Sequence, residues 1–561
     1  MYMAKGGSLS LNTKKGKVRE ALRNPIDVLN SLKTKACNES YHYERLYQNL
    51  YNEEFFLLAY RNIYASEGNM TAGTDGKTID GMGMDRIQKL IESMKNHNYQ
   101  PNPARRTYIE KKNGKKRPLG IPSFDDKLVQ EVVRIILESI YEPTFSNLSH
   151  GFRPNRSCHT ALEQIQAKFT GTKWFIEGDI HGFFDNIDHA VLVSILRKRI
   201  QDEYFIALIW KFLKAGYMED WTFHNTYSGT PQESIISPIL SNIYLNEFDR
   251  YMETYIKQFE RGKRRQRSVE YVSWEQKLKY LRYKKYSKGK WAKLTAEERK
   301  TANDRIRTIR SEMLKCDYSE PQDSGYRRLF YVRYADDWLC GVIGSKQDAE
   351  EIKSDIKRYM TESLKLELSE EKTLITNAQD KARFLSYDIF VSSDESLKQD
   401  EYGNTKRSRH GKVKLYVPRE KWQKKLIDYQ ALKIKYQNGK EIFKPVHRNY
   451  LINNDDLEIL KQYNAEIRGM YNYYKIAENV SVLGHFNYVM KFSMFKTFGA
   501  KYKMRIGKVR DKYGHQHFGV KYQTKSGEKT LFFHEDGFKR AKTGSTKPEI
   551  DTLPKIVLNG T

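Results

Sequence analysis

Two stretches decide the fold of this chain: FIEGDIHGFFDNIDH at residues 175–189 and YVRYADDWLCGV at residues 331–342. In each, a short apolar run ends on acidic residues, Asp179 in the first and the pair Asp336 and Asp337 in the second. The second stretch predicts a strand, a tight turn that holds both acids, and another strand. An Asp-Asp pair in a hairpin turn is ordinary by itself. A third acid at the end of another apolar run is not, because burying unpaired carboxylates is strongly unfavourable.

A divalent cation would account for acidic side chains in this setting. Mg²⁺ prefers hard oxygen ligands and takes one or two carboxylates from a protein, with the remaining ligands from substrate phosphates. Two such ions about 3.5–4 Å apart can activate an attacking hydroxyl and stabilise a leaving group. Three acids from adjacent strands therefore predict a two-metal site, with Mn²⁺ as an alternative ion.

The net charge predicts a polyanionic partner. The chain has 561 residues with 98 Lys and Arg against 70 Asp and Glu, which gives +28 at pH 7. Nucleic acid is the first expectation because each cation placed on a phosphate releases a counterion, and solubility alone is the alternative. Residues 257–316 hold 20 basic against 7 acidic residues, and residues 501–561 hold 14 against 6. We expect a basic helical insertion and a small separate basic module there.

The composition argues against several other classes of protein. The four cysteines, Cys37, Cys158, Cys316 and Cys340, form no CxxC pair, which disfavours a disulfide framework and a Cys-rich zinc site. No apolar run approaches the about 20 residues of a membrane helix, so no membrane association is expected. The basic N-terminus lacks the apolar segment of a secretory signal. We interpret it as a nucleic-acid-binding arm, with an organellar transit peptide as the alternative.

Hydrophobic spacing and turn residues predict the local structure around these features. Asn113-Gly114 predicts a hairpin of two short strands. Apolar residues at three-to-four spacing predict helices. The predicted helices cover residues 41–64, the stretch from Asp126 to Pro143, and residues 187–200, 418–436 and 455–478.

The two acidic stretches resemble two motifs of reverse transcriptases. GDIHGFFDNI resembles motif A, and YADD resembles motif C. Further blocks resemble the group II intron-encoded members of that family and follow in the same order. They are RPLGIP (117–122), SHGFRPNRSCHTAL (149–162), GTPQESIISPILSNIYLNEFD (229–249, motif B), LSEEKTLIT (368–376) and ARFLSYDI (382–389). RGMYNYYKIAENV (468–480) is similar to the maturase domain X, and KYKMRIGKVRDKYG (501–514) is similar to the basic DNA-binding region that follows it. The resemblance covers about residues 40–540.

This resemblance implies an α+β fold of the right-hand polymerase type. Its parts would be fingers, a palm with an antiparallel sheet, a helical thumb and a small basic C-terminal DNA-binding module. The implied domains are a basic arm (1–40), fingers and palm (41–395) with a basic helical insertion at about 255–320, the thumb or domain X (396–500) and a DNA-binding domain (501–561). Many relatives end in a Cys-rich endonuclease domain. Nothing after residue 501 resembles it, so none is expected.

The implied function is that of an RNA-directed DNA polymerase with a second role in RNA splicing. The protein would bind its group II intron RNA, promote its splicing, and accompany it by reverse splicing into target DNA, followed by cDNA synthesis from a DNA primer and dNTPs. One alternative is a splicing-only maturase whose polymerase site has decayed. Another is a retron or non-LTR retrotransposon enzyme, which lacks domain X. A homodimer is left open, and the expected location is an organelle, the mitochondrial matrix first, or a bacterial cytoplasm.

The same resemblance implies roles for individual residues of the polymerase site. The catalytic residues would be Asp179, Asp336 and Asp337, which would also hold the metals together with the main-chain carbonyl of Ile180. Phe184 would pack under the sugar of the incoming nucleotide and exclude a 2′-hydroxyl. Lys372 would donate a proton to pyrophosphate. The nucleotide-binding set is Lys111, Arg117, Phe184, Gln232 and Lys372.

Basic residues outside the polymerase blocks are expected to bind nucleic acid. Tyrosines 280, 283 and 286 alternate with cations in the insertion, as stacking on exposed bases requires, although a solvated helical pair is the alternative there. The expected RNA-binding residues are Arg261, Lys263, Arg264, Arg265, Arg267, Lys284 and Lys285. By resemblance, the DNA-binding residues are Lys501, Lys503, Arg505, Lys508, Arg510 and Lys512.

Three places depart from the family pattern. Glu233 and Ser234 stand where motif B usually has two glycines, and the added acid would weaken contact with a template backbone. Ser386 replaces the glycine of FLGY, and Trp338 follows the paired acids where Phe is common. None of these residues is an expected metal ligand, so activity remains the expectation.

Overall fold

The structure is a computed structural model that describes residues 23–110, 116–219, 222–224, 229, 234–320, 323–393, 396–399, 405–407, 411–525 and 527–541. The helices are α1 (Pro25–Ala36), α2 (Glu53–Ile63), α3 (Met84–Lys95), α4 (Phe124–Tyr141), α5 (Cys158–Lys168), α6 (Phe183–Asn186), α7 (His189–Arg197), α8 (Glu203–Lys214), α9 (Ser237–Phe259), α10 (Val269–Lys279), α11 (Lys288–Ala292), α12 (Ala296–Lys315), α13 (Lys346–Leu364), α14 (Arg419–Asp428), α15 (Asp456–Tyr474), α16 (Leu483–Lys501) and α17 (Ile506–Tyr513). The strands are β1 (Ala104–Glu110), β2 (Lys116–Ile121), β3 (Trp174–Gly178), β4 (Tyr217–Glu219), β5 (Thr222–His224), β6 (Arg328–Tyr334), β7 (Asp337–Ile343), β8 (Leu374–Asn377), β9 (Ala382–Phe384), β10 (Tyr387–Val391), β11 (Leu397–Gln399), β12 (Thr405–Arg407), β13 (Val413–Tyr416), β14 (Leu432–Gln437), β15 (Lys440–Pro445), β16 (Gly519–Thr524) and β17 (Gly527–Phe532).

The first of two structural units combines residues 23–145 with residues 184–243. Its sheet has the order β2-β1-β4-β5, in which β1 is antiparallel to β2 and parallel to β4. Helix α4 is buried along most of its length, and its N-terminus is capped by Ser123, whose hydroxyl accepts from the Asp126 amide. The fold of this unit is therefore mixed α and β.

The second unit combines residues 146–183 with residues 244–541 of the described chain. Its four-stranded sheet has the order β6-β7-β3-β8 and is antiparallel throughout. Strands β6 and β7 are joined by a two-residue turn, Ala335-Asp336, because Tyr334 pairs with Asp337. The predicted order of strand, turn and strand is thus confirmed, but the turn holds only Asp336, because Asp337 is already the first residue of β7.

The C-terminal helices and the segment after residue 500 share one hydrophobic core. Val509, Phe518, Val520 and Phe533 belong to the same buried cluster as residues of α15 and α16. The expected separate module at 501–561 is therefore not a separate packing unit over its described part. The segment shares this core because α17 is short and has an apolar side that its own residues cannot bury. Val509 on that side packs against α16.

The predicted helices and strands are confirmed where the spacing of apolar residues agrees with the positions of turn and capping residues. Strands β1 and β2 pair from Arg105↔Ile121 to Glu110↔Lys116, as the Asn113-Gly114 signal predicted, and their connection lies outside the described residues. The helices predicted to begin at Asp126 and to cover 187–200 and 455–478 appear as α4, α7 and α15. Within the predicted basic arm, residues 25–36 form α1, while residues 1–22 lie outside the described part.

The single helix predicted over residues 41–64 is wrong in its first half. A 3-10 turn (Tyr47–Tyr51) precedes α2, and Asn52 separates the two by accepting a hydrogen bond from the Glu54 amide. Asparagine favours this capping position over a helix interior because its side chain bonds nearby main-chain groups.

The helix predicted over residues 418–436 is wrong in its second half. Helix α14 ends at Asp428, Gln430 takes a positive φ of 55°, and β14 begins at Leu432. Strands β14 and β15 then form a hairpin around Asn438-Gly439, a dipeptide that favours two-residue turns.

Among the helices that the structure describes, none combines the length and the apolar character needed to cross a membrane.

Substitution of Gly178 by alanine is expected to destabilise the second unit by about 1–3 kcal/mol, because overpacking a dense core forces its neighbours to shift. A Cβ at Gly178 would overlap the indole ring of the fully buried Trp338 on the paired strand. Thermal unfolding of the purified variant measures the effect. The control is Gly469→Ala in α15, where a Cβ would meet nothing within 4 Å and where alanine favours the helix. Equal unfolding temperatures for Gly178→Ala and wild type would contradict the packing argument.

Candidate active site

Three aspartates of the second unit come together at one end of its antiparallel sheet. Asp179 directly follows β3, and the pairing of Gly178 with Trp338 places it beside the start of β7. Asp336 lies in the turn before β7, and Asp337 is the first residue of that strand. The register of β3 against β7 thus brings together acids that are more than 150 residues apart in sequence.

The three carboxylates interact strongly. Burial raises the pKa of Asp337 to about 7, and the charges of Asp336 and Asp179 and a hydrogen bond with Asp179 add to the increase. A carboxyl group with this pKa is largely protonated below neutral pH and ionised above it. The site therefore holds more negative charge than its surroundings compensate.

Lys372 provides the nearest positive charge. Its ammonium nitrogen lies 2.7 Å from Oδ2 of Asp179. This hydrogen bond, with the charges of all three aspartates, raises the pKa of Lys372 although burial opposes the shift. The loop before Lys372 is fixed to the same strand end, since the Ser369 amide donates to the Asp179 carbonyl at 2.9 Å. The structure thus joins Lys372 to the aspartates, while its role as a proton donor stays a prediction.

The donor set fits a hard divalent cation in its chemistry. Within the described residues, no group of three or more His, Cys, Asp or Glu side chains is arranged as a ready-made metal site. The repulsion that raises the pKa of Asp337 is, however, one that a cation between the carboxylates would relieve. The residues that would hold it are Asp179, Asp336 and Asp337. Ile180 is buried and its main chain bridges to Leu368, so its carbonyl belongs to the same strand end.

A buried ion pair supports the turn that holds Asp336. The Arg333 guanidinium donates to both carboxylate oxygens of Asp249 in α9, from Nε at 2.8 Å and from Nη2 at 2.6 Å. Its Nη1 donates at 2.8 Å to the carbonyl of Ala335, the residue before Asp336. The Tyr331 hydroxyl donates to the same Asp249 at 2.9 Å. This support was not predicted from the sequence, although an arginine directly before YADD was a signal that could have found it.

The segment 146–153 lines the other side of the same turn. The Arg333 amide donates to the Leu148 carbonyl at 2.8 Å, and the His150 amide donates to the Arg333 carbonyl at 2.9 Å. A Cβ at Gly151 would overlap the main chain of Ala335, which has a φ of 55°. Glycine in SHGFRPNRSC is therefore required for the close approach of this segment to the acidic turn.

Two departures from the family pattern have a structural explanation. Trp338 fills the space over Gly178 and also contacts Phe248 edge-on, with ring centroids 5.8 Å apart. Ser234 is buried in the first unit, where its hydroxyl donates to the Gln130 side chain at 2.8 Å. Glu233 lies outside the described residues.

Ser386 occupies a strained turn between β9 and β10. Leu385 and Ser386 both have positive φ, at 46° and 59°. Their carbonyls accept hydrogen bonds from the hydroxyls of Tyr473, at 2.8 Å, and Tyr474, at 3.1 Å. These bonds from α15 hold the serine in a conformation that glycine would adopt without strain.

Phe184 belongs to the first unit together with most of the other predicted nucleotide-binding residues. It lies in α6, not in a strand, and is half-buried, whereas the neighbouring Phe183 is buried. Phe183 is thus the core residue of the two. A Cβ at Gly229 would lie 2.6 Å from the Phe184 carbonyl, so the motif B glycine allows the two main chains to approach. Arg117 is described only through its main chain in β2, and Lys111 and Gln232 lie outside the described residues.

The predicted RNA-binding residues form two groups with different surroundings. The insertion is helical, as predicted, and contains α10, α11 and α12. The Arg267 guanidinium forms an ion pair with Glu275 at 2.9 Å and lies over the rings of Tyr271 and Tyr318. These contacts give Arg267 a structural role in the insertion. Arg265 is half-buried as well. The exposed members are Arg261, Lys263, Arg264, Lys284 and Lys285.

The predicted stacking residues and DNA-binding residues are also divided. Tyr280 and Tyr283 are exposed, but Tyr286 packs edge-on against Trp291 with ring centroids 6.0 Å apart. The Lys501 ammonium is bound to Asp456 at 2.7 Å, and Lys512 lies over the Tyr502 ring. The other members of the DNA-binding set are exposed: Lys503, Arg505, Lys508 and Arg510.

Comparisons with known proteins agree with these observations. The family model for reverse transcriptase (RNA-dependent DNA polymerase) matches residues 109–283, and the model for type II intron maturase matches residues 410–555. The group II intron-encoded protein LtrA of Lactococcus lactis subsp. cremoris is 43% identical over 88% of this chain and 80% of its own length. An uncharacterized 91 kDa protein in the cob intron of Schizosaccharomyces pombe is 37% identical over 83% of this chain and 55% of its own length. The putative COX1/OXI3 intron 1 protein of Saccharomyces cerevisiae is 35% identical over 83% and 54%.

Two family models in the expected order, and a relative of this identity that aligns over most of both chains, confirm the sequence-based assignment. The chain belongs to the family of group II intron-encoded proteins that combine a reverse transcriptase domain with a maturase domain.

Proposed function

We propose that this protein synthesises DNA on an RNA template at the site formed by Asp179, Asp336 and Asp337. The observation that supports this best is the convergence of the three carboxylates and Lys372 at one end of an antiparallel sheet. In this proposal the sheet β6-β7-β3-β8 is the palm of a right-hand polymerase and the β1–β2 hairpin belongs to the fingers. Helices α14 to α16 form the thumb, and α17 belongs to the DNA-binding region that follows it.

The protein's own residues would divide the chemistry between orientation and proton transfer. A bound Mg²⁺ would supply Lewis-acid stabilisation of charge on the phosphoryl oxygens. Lys372 carries a proton at neutral pH, and its position beside Asp179 would let it give that proton to a leaving pyrophosphate. Its hydrogen bond to Asp179 raises its pKa further, so the proton would be released only as negative charge develops on the pyrophosphate. Arg333 and Asp249 hold the turn, which keeps Asp336 in place without reorganisation during the reaction.

We further propose that the protein binds its group II intron RNA, promotes splicing, and takes part in insertion of that RNA into DNA. The family model for type II intron maturase, which matches residues 410–555, and the exposed basic residues of the insertion support this role. A splicing-only maturase remains the second candidate. The intact aspartates and their buried support favour retained polymerase activity, since a decayed site has no need of either. Relatives from a bacterium and from fungi are compatible with a bacterial cytoplasm or a mitochondrion.

Asp336→Asn is expected to lower DNA synthesis by about 10³-fold or more, because losing several kcal/mol of charge stabilisation reduces the rate tenfold per about 1.4 kcal/mol. Primer extension on an RNA template measures this, and a filter-binding assay with the intron RNA provides the control, since binding should not change. A variant that extends primers at the wild-type rate would contradict the assignment.

Phe184→Val is expected to increase the use of ribonucleotides relative to deoxyribonucleotides by about tenfold or more, because a smaller side chain would admit the 2′-hydroxyl. Competing dNTP and rNTP incorporation at one template position gives the ratio. Phe183→Leu is the matched control, since Phe183 is a core residue. The proposed role would be refuted by an unchanged ratio in the Phe184 variant.

Asp249→Asn is expected to lower kcat by about 10²-fold through misplacement of the catalytic turn, with a smaller effect on KM for dNTPs. The change leaves the buried Arg333 guanidinium without its counter-charge, so circular dichroism must first show that the variant is folded. Tyr331→Phe removes one hydrogen bond to Asp249 and serves as a milder variant with a smaller loss of kcat. Glu350→Gln on the surface of α13 is the control. A folded Asp249→Asn protein with wild-type kcat would show that the ion pair does not position the turn.

A further inference from the structure

The hairpin of β14 and β15 has one face that consists mainly of lysine. The two strands pair from Leu432↔Pro445 to Gln437↔Lys440, and alternate residues of a strand share a face. One face therefore holds Leu432, Ile434, Tyr436, Glu441, Phe443 and Pro445. The other, which we name the lysine face, holds Lys433, Lys435, Gln437, Lys440, Ile442 and Lys444, all of which are exposed.

The opposite face attaches the hairpin to the rest of the second unit. Leu432 is buried, and Ile434 and Phe443 pack against the hydrophobic core. Glu441 is the hairpin's one acidic residue. It lies on this attached face, where Arg419 of α14 binds it at 2.8 Å. The lysine face thus has no acid of its own.

The arrangement of the lysines is unfavourable for an isolated hairpin. Lys433 lies directly opposite Lys444, and like charges in directly opposed positions destabilise a strand pair. Among the residues that the structure describes, none of the four lysines forms an ion pair. The lysine face therefore carries four positive charges on six positions, and no acid of the described residues pairs with them.

The hairpin is also well fixed. Asn438 and Gly439 both have positive φ, at 51° and 73°, which suits a two-residue turn that follows the strand twist. At the open end, the Val446 amide donates to the Ala431 carbonyl at 2.9 Å, and Lys496 of α16 donates to the Pro445 carbonyl at 2.6 Å. A ligand that binds the lysine face meets charges already in place, which reduces the entropy lost on binding.

We propose that the lysine face is a docking surface for the phosphate backbone of folded RNA. The proposal rests on the proposed function, in which this protein binds its intron RNA. Lysine presents a point charge that suits phosphate and does not read base edges, and RNA helices are recognised mainly through shape, phosphates and 2′-hydroxyls. A two-stranded ribbon in the major groove of DNA would need side chains that read bases, and Gln437 is the one amide on this face.

The test replaces all four lysines and measures the salt dependence of RNA binding by the full chain. For Lys433→Gln, Lys435→Gln, Lys440→Gln and Lys444→Gln combined, the slope of log K against log [KCl] for the intron RNA should decrease in magnitude by about 3, at about 0.7–0.9 per phosphate contact. Primer extension on a short RNA template should stay at the wild-type level. The pair Lys433→Gln and Lys444→Gln alone should raise the unfolding temperature and remove about half of the slope change.

A matched control removes the same charge from lysines that have acidic partners. The partners are Glu350, Glu370, Asp388 and Glu528. This variant should change the slope by less than about 1 because its lysines make no phosphate contact. The control substitutions are Lys346→Gln, Lys357→Gln, Lys381→Gln and Lys521→Gln.

The outcomes separate this inference from the proposed function. Wild-type protein that does not bind the intron RNA would overturn the proposed function and this inference with it. Wild-type binding together with an unchanged slope in the four-lysine variant, or in a folded two-lysine variant, would overturn this inference alone. So would an equal loss of slope in the matched control, or a loss seen only with a DNA duplex.

Discussion

The buried ion pair between Arg333 and Asp249 is the interaction on which the end of the sheet with Asp179, Asp336 and Asp337 depends. Taking two charges out of water is unfavourable unless their geometry is good and their remaining hydrogen-bonding groups are satisfied. Here one guanidinium bonds both oxygens of Asp249 and the carbonyl that precedes Asp336. Helix α9, strand β6 and the acidic turn must therefore be in place together. The acids at that turn repel one another, so they need a support that is stronger than the turn itself.

Much of the fold was predictable because its elements carry strong local signals. Regular hydrophobic spacing and clear turn or capping residues occur together in several elements. These are the strand, turn and strand around YADD, the β1–β2 hairpin and helices α4, α7 and α15. The two errors in the predicted helices arose where a polar residue or a turn overrides the regular spacing of apolar residues. Asn52 caps a new helix inside an apparently continuous one, and Asn438-Gly439 closes a hairpin after a stretch of helical composition.

The acids of the site could be found from sequence, but their support could not. Asp179, Asp336 and Asp337 are recognisable because charge at the end of an apolar run is unusual. Asp249 is an ordinary residue of motif B in the sequence, and only the packing of α9 beside β6 makes it the partner of Arg333. A buried network depends on contacts between distant segments, which residue spacing alone does not reveal.

Basic residues could be counted from sequence, but not sorted by their role. Arg267 and Lys501 were expected to bind nucleic acid, and the structure engages both with acids of their own surroundings. Lys433 and Lys435 lay in a segment expected to be a helix, and the strand pair places them on one face with Lys440 and Lys444. The same net charge can therefore stabilise a core or remain available to a partner, depending on whether an acid is near.

The strained turn at Leu385 and Ser386 has a mechanical consequence for the second unit. Each left-handed non-glycine residue is disfavoured by about 1–2 kcal/mol, so the turn would relax if it were released. Two tyrosine hydroxyls from α15 hold it by its carbonyls, and the Tyr387 hydroxyl returns a bond to the carbonyl of Tyr473. These hydrogen bonds fix α15 to the turn, so the junction is rigid and does not act as a hinge. A displacement of α15 would therefore be transmitted to the β9–β10 strand pair through three hydrogen bonds, so that the two elements move together.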